Sequence, residues 1–215
     1  MDITKFKGAI FDLDGTLLDS MHIWHDVDEE FFRRRNLKVT KEYVDIIKNM
    51  HLPAAAVYTK EKYNIQESVD EIVDEWLDLC AQGYLNNVDL KDGVYEYLKL
   101  LHEKGIKMAF ATASEKQVCE GVLKKHGIFD FFGAFAYVSE INIGKTEPDI
   151  YLLAAERMGL NAQDCVVFED IIEGIRGAKK GHFTVCGVYD KSSAKDEEEI
   201  RTVADYYIKS FKELL

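Results

Sequence analysis

Short apolar runs alternate with amphipathic segments from Asp92 onward, and this alternation constrains the fold of the 215-residue chain more than any other feature. The runs have the length and composition of buried strands and lie at 107–111, 134–138, 165–168, 183–188 and 206–208. Helical patterns precede and separate them, and several of these end at a glycine, as at Gly105. Strands that alternate with helices form a mostly parallel sheet covered on both faces. The sequence therefore predicts a doubly wound α/β domain.

A further strand is predicted near the start of the chain, at 8–10, and two acids follow it closely. Asp12 and Asp14 would share one face of an extended chain, and carboxylates that close need a cation or a proton between them. In open parallel sheets, ligands bind beyond the carboxyl ends of the strands. Chemistry is therefore expected at this strand's tip, with a plain Asp-Gly turn as the alternative.

The stretch between this strand and Asp92 has helical spacing and no strand signal. Predicted helices lie at 20–35, 40–50, 54–63 and 67–87, and the last of them is expected to carry an apolar stripe of Trp76, Leu77, Cys80 and Tyr84. We therefore expect two domains. Residues 1–17 and 90–215 would form the α/β core, and residues 18–89 an inserted all-helical domain.

Composition excludes several classes of partner. The 27 basic and 39 acidic residues give a net charge of -12, which disfavours nucleic acid and anionic membranes. The four cysteines are far apart in sequence and predict buried reduced thiols rather than a disulfide framework or a zinc site. No apolar run approaches the roughly 18 residues of a membrane span, and residues 1–7 carry charges. A cytoplasmic monomer is expected.

Polar residues at the ends of later predicted strands suit phosphate and metal chemistry. The Thr112 hydroxyl and the backbone donors of Ala113 and Ser114 could hold phosphate oxygens. The alternative is that Ser114 or Thr112 caps the next helix. Glu169 and Asp170 follow a very apolar strand, and such a carboxylate pair suits a hard cation. Lys145 lies in a loop, where a lysine is ordinarily exposed.

Taken in order, these residues resemble the four motifs of the haloacid dehalogenase-like hydrolase superfamily. The motif residues are Asp12-Leu13-Asp14-Gly15-Thr16, then Thr112, then Lys145 with Pro148-Asp149, and finally Phe168-Glu169-Asp170 with Gly174. The resemblance spans nearly the whole chain and implies a Rossmann-like core. The helical insertion resembles the cap of the branch that contains phosphoglycolate phosphatase and beta-phosphoglucomutase. The chain departs from the pattern at Thr146, usually a proline, and at Ile171, commonly a serine.

The resemblance implies a catalytic role for each matching residue. Asp12 would be the nucleophile that forms an aspartyl-phosphate, and Asp14 the general acid and base. Thr112 and Lys145 would be catalytic residues that hold the phosphoryl oxygens, together with Ala113. Because Asp14 is present, phosphate-ester chemistry is favoured over the dehalogenases and phosphonate hydrolases of the superfamily, which lack this second acid.

The resemblance also implies a Mg²⁺ cofactor. Asp12, the main-chain carbonyl of Asp14 and Asp170 would bind the ion, and Glu169 would contribute directly or through water. A metal ion and one lysine supply the charge neutralisation that phosphoryl transfer requires. The sequence thus predicts a Mg²⁺-dependent phosphatase that acts on a small phosphorylated metabolite.

Two alternative functions stay open at this point. A phosphosugar mutase of the beta-phosphoglucomutase type needs a second cationic site for the distal phosphate. Those mutases carry a histidine where this chain has Trp24 and a lysine where it has Glu115, although Lys116 could compensate. A phospho-aspartate receiver domain also uses an aspartate, a metal and a lysine, but it has no helical insertion of this size.

The helical insertion is expected to act as a cap, with substrate entering between it and the core. His51 lies in the loop between the second and third predicted helices of the insertion. We take it as the candidate for a cap residue that faces the substrate. The alternative is an ordinary helix-end histidine.

Overall fold

The computed structural model describes residues 1–47, 50–114, 116–141 and 143–215. These residues form two compact units. One consists of Met1–Met21 with Val88–Leu215, and the other of His22–Asn87. The first unit contains strands and helices, and the second is helical. That the second unit acts as a cap stays a prediction.

The helical unit packs around adjacent aromatic residues on its first helix. Its helices are α1 (Ile23–Arg34), α2 (Lys41–Ile47), α3 (Leu52–Tyr63) and α4 (Val69–Asn87). The Phe31 ring meets Trp76 of α4 edge to face, with ring centroids 5.4 Å apart. The Phe32 ring meets Tyr43 of α2 at 4.9 Å and Tyr63 of α3 at 4.7 Å. Two neighbouring side chains of α1 therefore contact all three other helices.

The α/β unit contains one parallel sheet and a short antiparallel pair. Its elements are β1 (Gly8–Phe11), β2 (Leu18–Asp19), β3 (Asp89–Leu90), α5 (Val94–Glu103), β4 (Lys107–Thr112), α6 (Lys116–Lys125), β5 (Ala134–Tyr137), α7 (Val138–Ile141), α8 (Asp149–Met158), β6 (Cys165–Glu169), α9 (Ile172–Lys180), β7 (Thr184–Val188), α10 (Glu197–Val203) and β8 (Tyr206–Ile208). Within the described residues, six strands form the sheet in the order β5-β4-β1-β6-β7-β8. The predicted doubly wound α/β fold is confirmed.

The strand β1 lies in the middle of this sheet, at the point where the strand order reverses. Phe11, its last residue, is in register with Phe168 of β6, and the two rings stack with centroids 4.6 Å apart. Beyond the strand, the Asp12 backbone N–H still donates to the Phe168 carbonyl at 3.0 Å. Thr112 and Glu169 end β4 and β6. Because these strands run parallel to β1, Asp12 lies at the same end of the sheet as both residues, at the carboxyl ends of the strands.

The antiparallel pair of β2 and β3 was not predicted. Leu18 pairs with Leu90 and Asp19 with Asp89, so the segments that lead out of and back into the α/β unit lie side by side. Two-residue strands are too short to show a period-two pattern, so sequence reasoning treated these segments only as joints.

All four cysteines are buried, as predicted. Among the described residues, no helix has both the length and the apolar character needed to span a bilayer.

Candidate active site

Three acids gather at the carboxyl edge of the sheet. Asp12 follows β1, Glu169 ends β6, and Asp170 is the next residue. All three side chains are buried, and one carboxylate oxygen from each lies within 4.8 Å of the others. The structure therefore brings together the acids that the first and fourth motifs contribute.

Lys145 reaches this cluster from the loop before α8. Its ammonium group contacts the Asp12 carboxylate and lies 3.2 Å from Glu169 Oε1. Its side chain is only 9% exposed, unlike that of an ordinary loop lysine. Tyr151 of α8 donates to the same Glu169 oxygen at 3.4 Å, and burial raises the pKa of this tyrosine well above its usual value. The tyrosine contact was missed in the sequence, where Tyr151 reads only as a core position of a helix.

The pKa values of the three acids are raised first by burial and then by the negative charge of neighbouring carboxylates. Burial raises the pKa of Asp12, with the Asp14 charge acting in the same direction and Lys145 opposing it. Burial and then the Asp12 charge raise the pKa of Glu169 well above its usual value and that of Asp170 to about 8. Burial works to lower the pKa of Lys145, but Asp12 and Glu169 hold it well above its usual value. Among the described residues, the ammonium group of Lys145 thus offsets only part of the burial and mutual repulsion of the three carboxylates.

One carboxylate oxygen of Asp170 lacks a hydrogen-bond donor among the described residues. Its Oδ1 accepts a hydrogen bond from the Thr16 hydroxyl at 3.0 Å. Its Oδ2 is buried and has no hydrogen-bond partner in the part of the chain that the structure describes. Buried polar atoms are ordinarily partnered, so this one requires an explanation. An unused carboxylate oxygen among other carboxylates is what a hard divalent cation with oxygen ligands requires.

The Asp14 carboxylate is held by two serine hydroxyls. Ser20 donates to Oδ1 at 2.6 Å, and Ser114 donates to Oδ2. Sequence reasoning did not identify either serine as a partner. They are 6 and 100 residues away from Asp14, and no motif connects them to it. The two bonds fix the orientation of this carboxylate.

Thr112 is fully buried at the end of β4. Its hydroxyl oxygen accepts a hydrogen bond from the Ser114 backbone N–H at 3.0 Å, in the turn that precedes α6. Ala113 is exposed at the next position. Phosphate binding by Thr112 and Ala113 stays a prediction.

Glycines give the acids and the lysine loop the space they occupy. A β-carbon at Gly15 would collide with the Asp170 carboxylate, and one at Gly174 with the Glu169 carboxylate. On the next turn of α9, a β-carbon at Gly177 would collide with the backbone carbonyl of Lys145. The loop that carries Lys145 is therefore in direct contact with a side-chain-free face of α9.

The structure assigns no substrate role to the residues that sequence reasoning considered for substrate contact. His51 is the N-cap of α3, where its Nδ1 accepts from the Ala54 backbone N–H at 3.4 Å. Trp24 is 47% exposed on α1. Glu115 lies outside the described residues. Lys116, whose side chain is 68% exposed, pairs with Glu120 at 4.0 Å. A substrate contact by His51 stays a prediction.

Comparison with known proteins gives consistent results over the whole chain. A family model described as haloacid dehalogenase-like hydrolase matches residues 6–182. Hexitol phosphatase B of Escherichia coli is 26% identical over 216 residues, which cover 98% of this chain and 95% of that protein. The phosphorylated carbohydrates phosphatase of Thermotoga maritima is 26% identical over 180 residues and 80% of each chain. A crystal structure of a Thermotoga maritima protein provisionally named beta-phosphoglucomutase has a TM-score of 0.85 and 23% identity, and covers 97% of this chain and all of that one.

Gly177→Ala tests whether α9 positions the lysine loop. Alanine has a higher helix propensity than glycine by about 1 kcal/mol, so the helix itself should not be weakened. The collision with the Lys145 carbonyl should displace the loop and lower kcat/KM for p-nitrophenyl phosphate by about tenfold or more.

The matched control is Gly133→Ala, since a β-carbon there would meet no atom within 4 Å in the described part of the chain. Equal kcat/KM values for the two variants would contradict this role of α9.

Proposed function

The chain belongs to the haloacid dehalogenase-like hydrolase family, and on that premise we propose that it is a Mg²⁺-dependent phosphatase of small phosphorylated sugars or sugar alcohols. The family membership confirms the resemblance drawn from the motifs. The observation that carries the proposal is the buried cluster of Asp12, Glu169 and Asp170 with Lys145 beside it. The substrate class is supported by the relatives, which are named for phosphatases of hexitols and phosphorylated carbohydrates.

Asp12 attacks the phosphorus atom in this proposal and forms an aspartyl-phosphate while the bond to the substrate oxygen breaks. Asp14 gives a proton to the departing oxygen and then takes one from the water that releases phosphate. The position of Lys145 supports Asp12 as the nucleophile. Its ammonium group lies against Asp12 and can stay close to the phosphoryl oxygens. The Asp14 carboxylate is held separately by its two serines.

The donor set supports Mg²⁺ as the cofactor. Carboxylate oxygens of Asp12, Glu169 and Asp170, with the main-chain carbonyl of Asp14, would hold the ion. Magnesium prefers oxygen ligands of this kind, and the unused Oδ2 of Asp170 is an available one. When bound, the ion supplies positive charge against the phosphoryl oxygens.

Both alternative functions are less well supported. The family membership disfavours a receiver domain. A mutase would need a second cationic site, and Lys116, the nearby lysine that sequence reasoning considered, is largely exposed and paired with Glu120. The likeness to a provisionally named beta-phosphoglucomutase is at 23% identity and concerns the fold. Hydrolysis is therefore the better proposal.

Asp12→Asn tests the nucleophile. An amide cannot form the aspartyl-phosphate, so phosphate release from p-nitrophenyl phosphate should fall at least about a hundredfold. The unfolding temperature should be no lower than that of the wild type, because a neutral side chain relieves repulsion among the three buried carboxylates. Asp130→Asn, at an exposed position, is the control and should keep full activity. Substantial turnover by purified Asp12→Asn would remove Asp12 from this role.

Asp170→Asn tests the metal site. The variant loses one of three clustered carboxylates, so the Mg²⁺ concentration for half-maximal activity should rise by about tenfold or more. The rise in unfolding temperature caused by Mg²⁺ should shrink in parallel. Titrations that coincide with those of the wild type would contradict the assignment of Asp170 as a ligand.

The products distinguish hydrolysis from mutase chemistry. With sugar monophosphates and Mg²⁺, we expect release of inorganic phosphate. With beta-glucose 1-phosphate and a bisphosphate primer, we expect no net formation of glucose 6-phosphate, measured by a coupled dehydrogenase. Isomerisation faster than hydrolysis would make the mutase the correct assignment.

A further inference from the structure

Lys91 makes an unusual set of contacts directly after β3. Its ammonium group donates to the backbone carbonyls of Gly15 at 2.6 Å and Tyr189 at 2.5 Å, and to Asp190 Oδ2 at 3.0 Å. The Lys91 side chain is 15% exposed and that of Asp190 7%. All three ammonium hydrogens can therefore be used in a largely buried position. Neither the motifs nor the proposed mechanism gives Lys91 a role.

The carbonyl that Lys91 holds belongs to the turn that follows Asp14. Gly15 has a φ of 82°, a conformation that glycine adopts without strain, and its backbone N–H donates to the Leu18 carbonyl at 2.9 Å. The backbone N–H groups of Thr16, Leu17 and Leu18 also donate to the Leu13 carbonyl, at 3.2, 2.9 and 2.8 Å. The bond from Lys91 adds to these local bonds a restraint on the Gly15 carbonyl itself, from a segment 76 residues away.

The same turn forms one wall of the carboxylate cluster. Gly15 lies so close to the Asp170 carboxylate that a β-carbon would collide with it. The next residue, Thr16, donates its hydroxyl to Asp170 Oδ1 at 3.0 Å. A shift of the turn would therefore move Asp170 or its hydrogen-bond donor, and it would also move the neighbouring main-chain carbonyl of Asp14.

Asp190 keeps Lys91 in this place. Its Oδ1 accepts bonds from the backbone N–H and the hydroxyl of Ser192, at 2.8 and 2.7 Å, while its Oδ2 faces Lys91. Burial works to raise the pKa of Asp190, but the bonds from Ser192 and Lys91 hold it below its usual value. The carboxylate is therefore ionised and fixed, and it forms a well-partnered ion pair with Lys91.

We propose that Lys91 is a positioning residue that fixes the Gly15–Thr16 turn and thereby sets the affinity of the carboxylate cluster for a divalent cation. This inference rests on the proposed metal-dependent function. In this proposal the segment after β3 acts on the cation site through the bond from the Lys91 ammonium group to the Gly15 carbonyl.

The direction of the effect distinguishes positioning from general electrostatics. Removing a lysine removes a positive charge and leaves Asp190 uncompensated near Asp170, which by charge alone would favour a cation. Removing the restraint on the turn disorders the ligands, which weakens cation binding. Lys91→Met should therefore bind Mg²⁺ more weakly, although it is the more negative protein.

The experiment measures Mg²⁺ binding directly, by isothermal titration calorimetry and by the unfolding temperature with and without Mg²⁺. We expect the Kd of Lys91→Met to be about tenfold higher than that of the wild type, a loss typical of one hydrogen bond to a charged group. Its Mg²⁺-dependent rise in unfolding temperature should be correspondingly smaller. The matched control is Lys212→Met, which removes an exposed lysine paired with Asp92 at 2.6 Å and should bind as the wild type does.

Three other results of these Mg²⁺ titrations would contradict the inference. If Lys91→Met binds Mg²⁺ as tightly as the wild type, or more tightly, and only unfolds earlier, Lys91 is structural and the inference is wrong. An equal loss in Lys212→Met overturns it too. If the wild type binds no Mg²⁺, the proposed function fails and this inference fails with it. Should Lys91→Met not fold, Lys91→Leu, which also donates no hydrogen bond to the Gly15 carbonyl, is measured in the same way, and an unchanged Kd overturns the inference.

Discussion

Repulsion among three buried carboxylates is the constraint on which the rest of this structure depends. Asp12, Glu169 and Asp170 are buried together, and the ammonium group of Lys145 lies against Asp12 and Glu169. Such an arrangement lowers the free energy of unfolding, because burial removes the hydration of the carboxylates without replacing it by enough ion pairs and hydrogen bonds. A fold can maintain it only where the backbone leaves these side chains no alternative position. The parallel sheet does so, because β1 and β6 are hydrogen-bonded neighbours and end at the same edge.

The surrounding framework is correspondingly rigid and close-packed. Phe11 and Phe168 stack directly behind the acids that follow them. Gly174 and Gly177 let α9 approach Glu169 and the lysine loop more closely than any side chain would allow. These glycines satisfy no dinucleotide-binding pattern, and their spacing instead matches one face of a helix. Both glycines act through the absence of a side chain. Sequence reasoning placed Gly174 in the fourth motif, but it gave Gly177 no role.

The sequence predicted the parts of the site that local pattern determines. An apolar run followed by acids places Asp12, Glu169 and Asp170 at strand ends, and strand–helix alternation brings those ends to one edge. Contacts across long sequence separations could not be predicted in this way. The bonds from Ser114 to Asp14 and from Lys91 to Gly15 join segments 100 and 76 residues apart. Their existence depends on the folded geometry of loops, for which a single sequence contains no periodic signal.

The pairing of β2 with β3 has a consequence for how a chain of this kind can diversify. Leu18 lies opposite Leu90 in an antiparallel pair. In topological terms, the whole helical insertion is therefore the loop of a two-stranded hairpin that belongs to the α/β unit. Loop-closure entropy grows only slowly with loop length, so a loop of any size closed at this ladder costs the core nearly the same. Insertions of different length and sequence can thus replace one another between β2 and β3 without changes in the α/β unit. Selection for new substrates could then act on the loop while the chemistry is inherited intact.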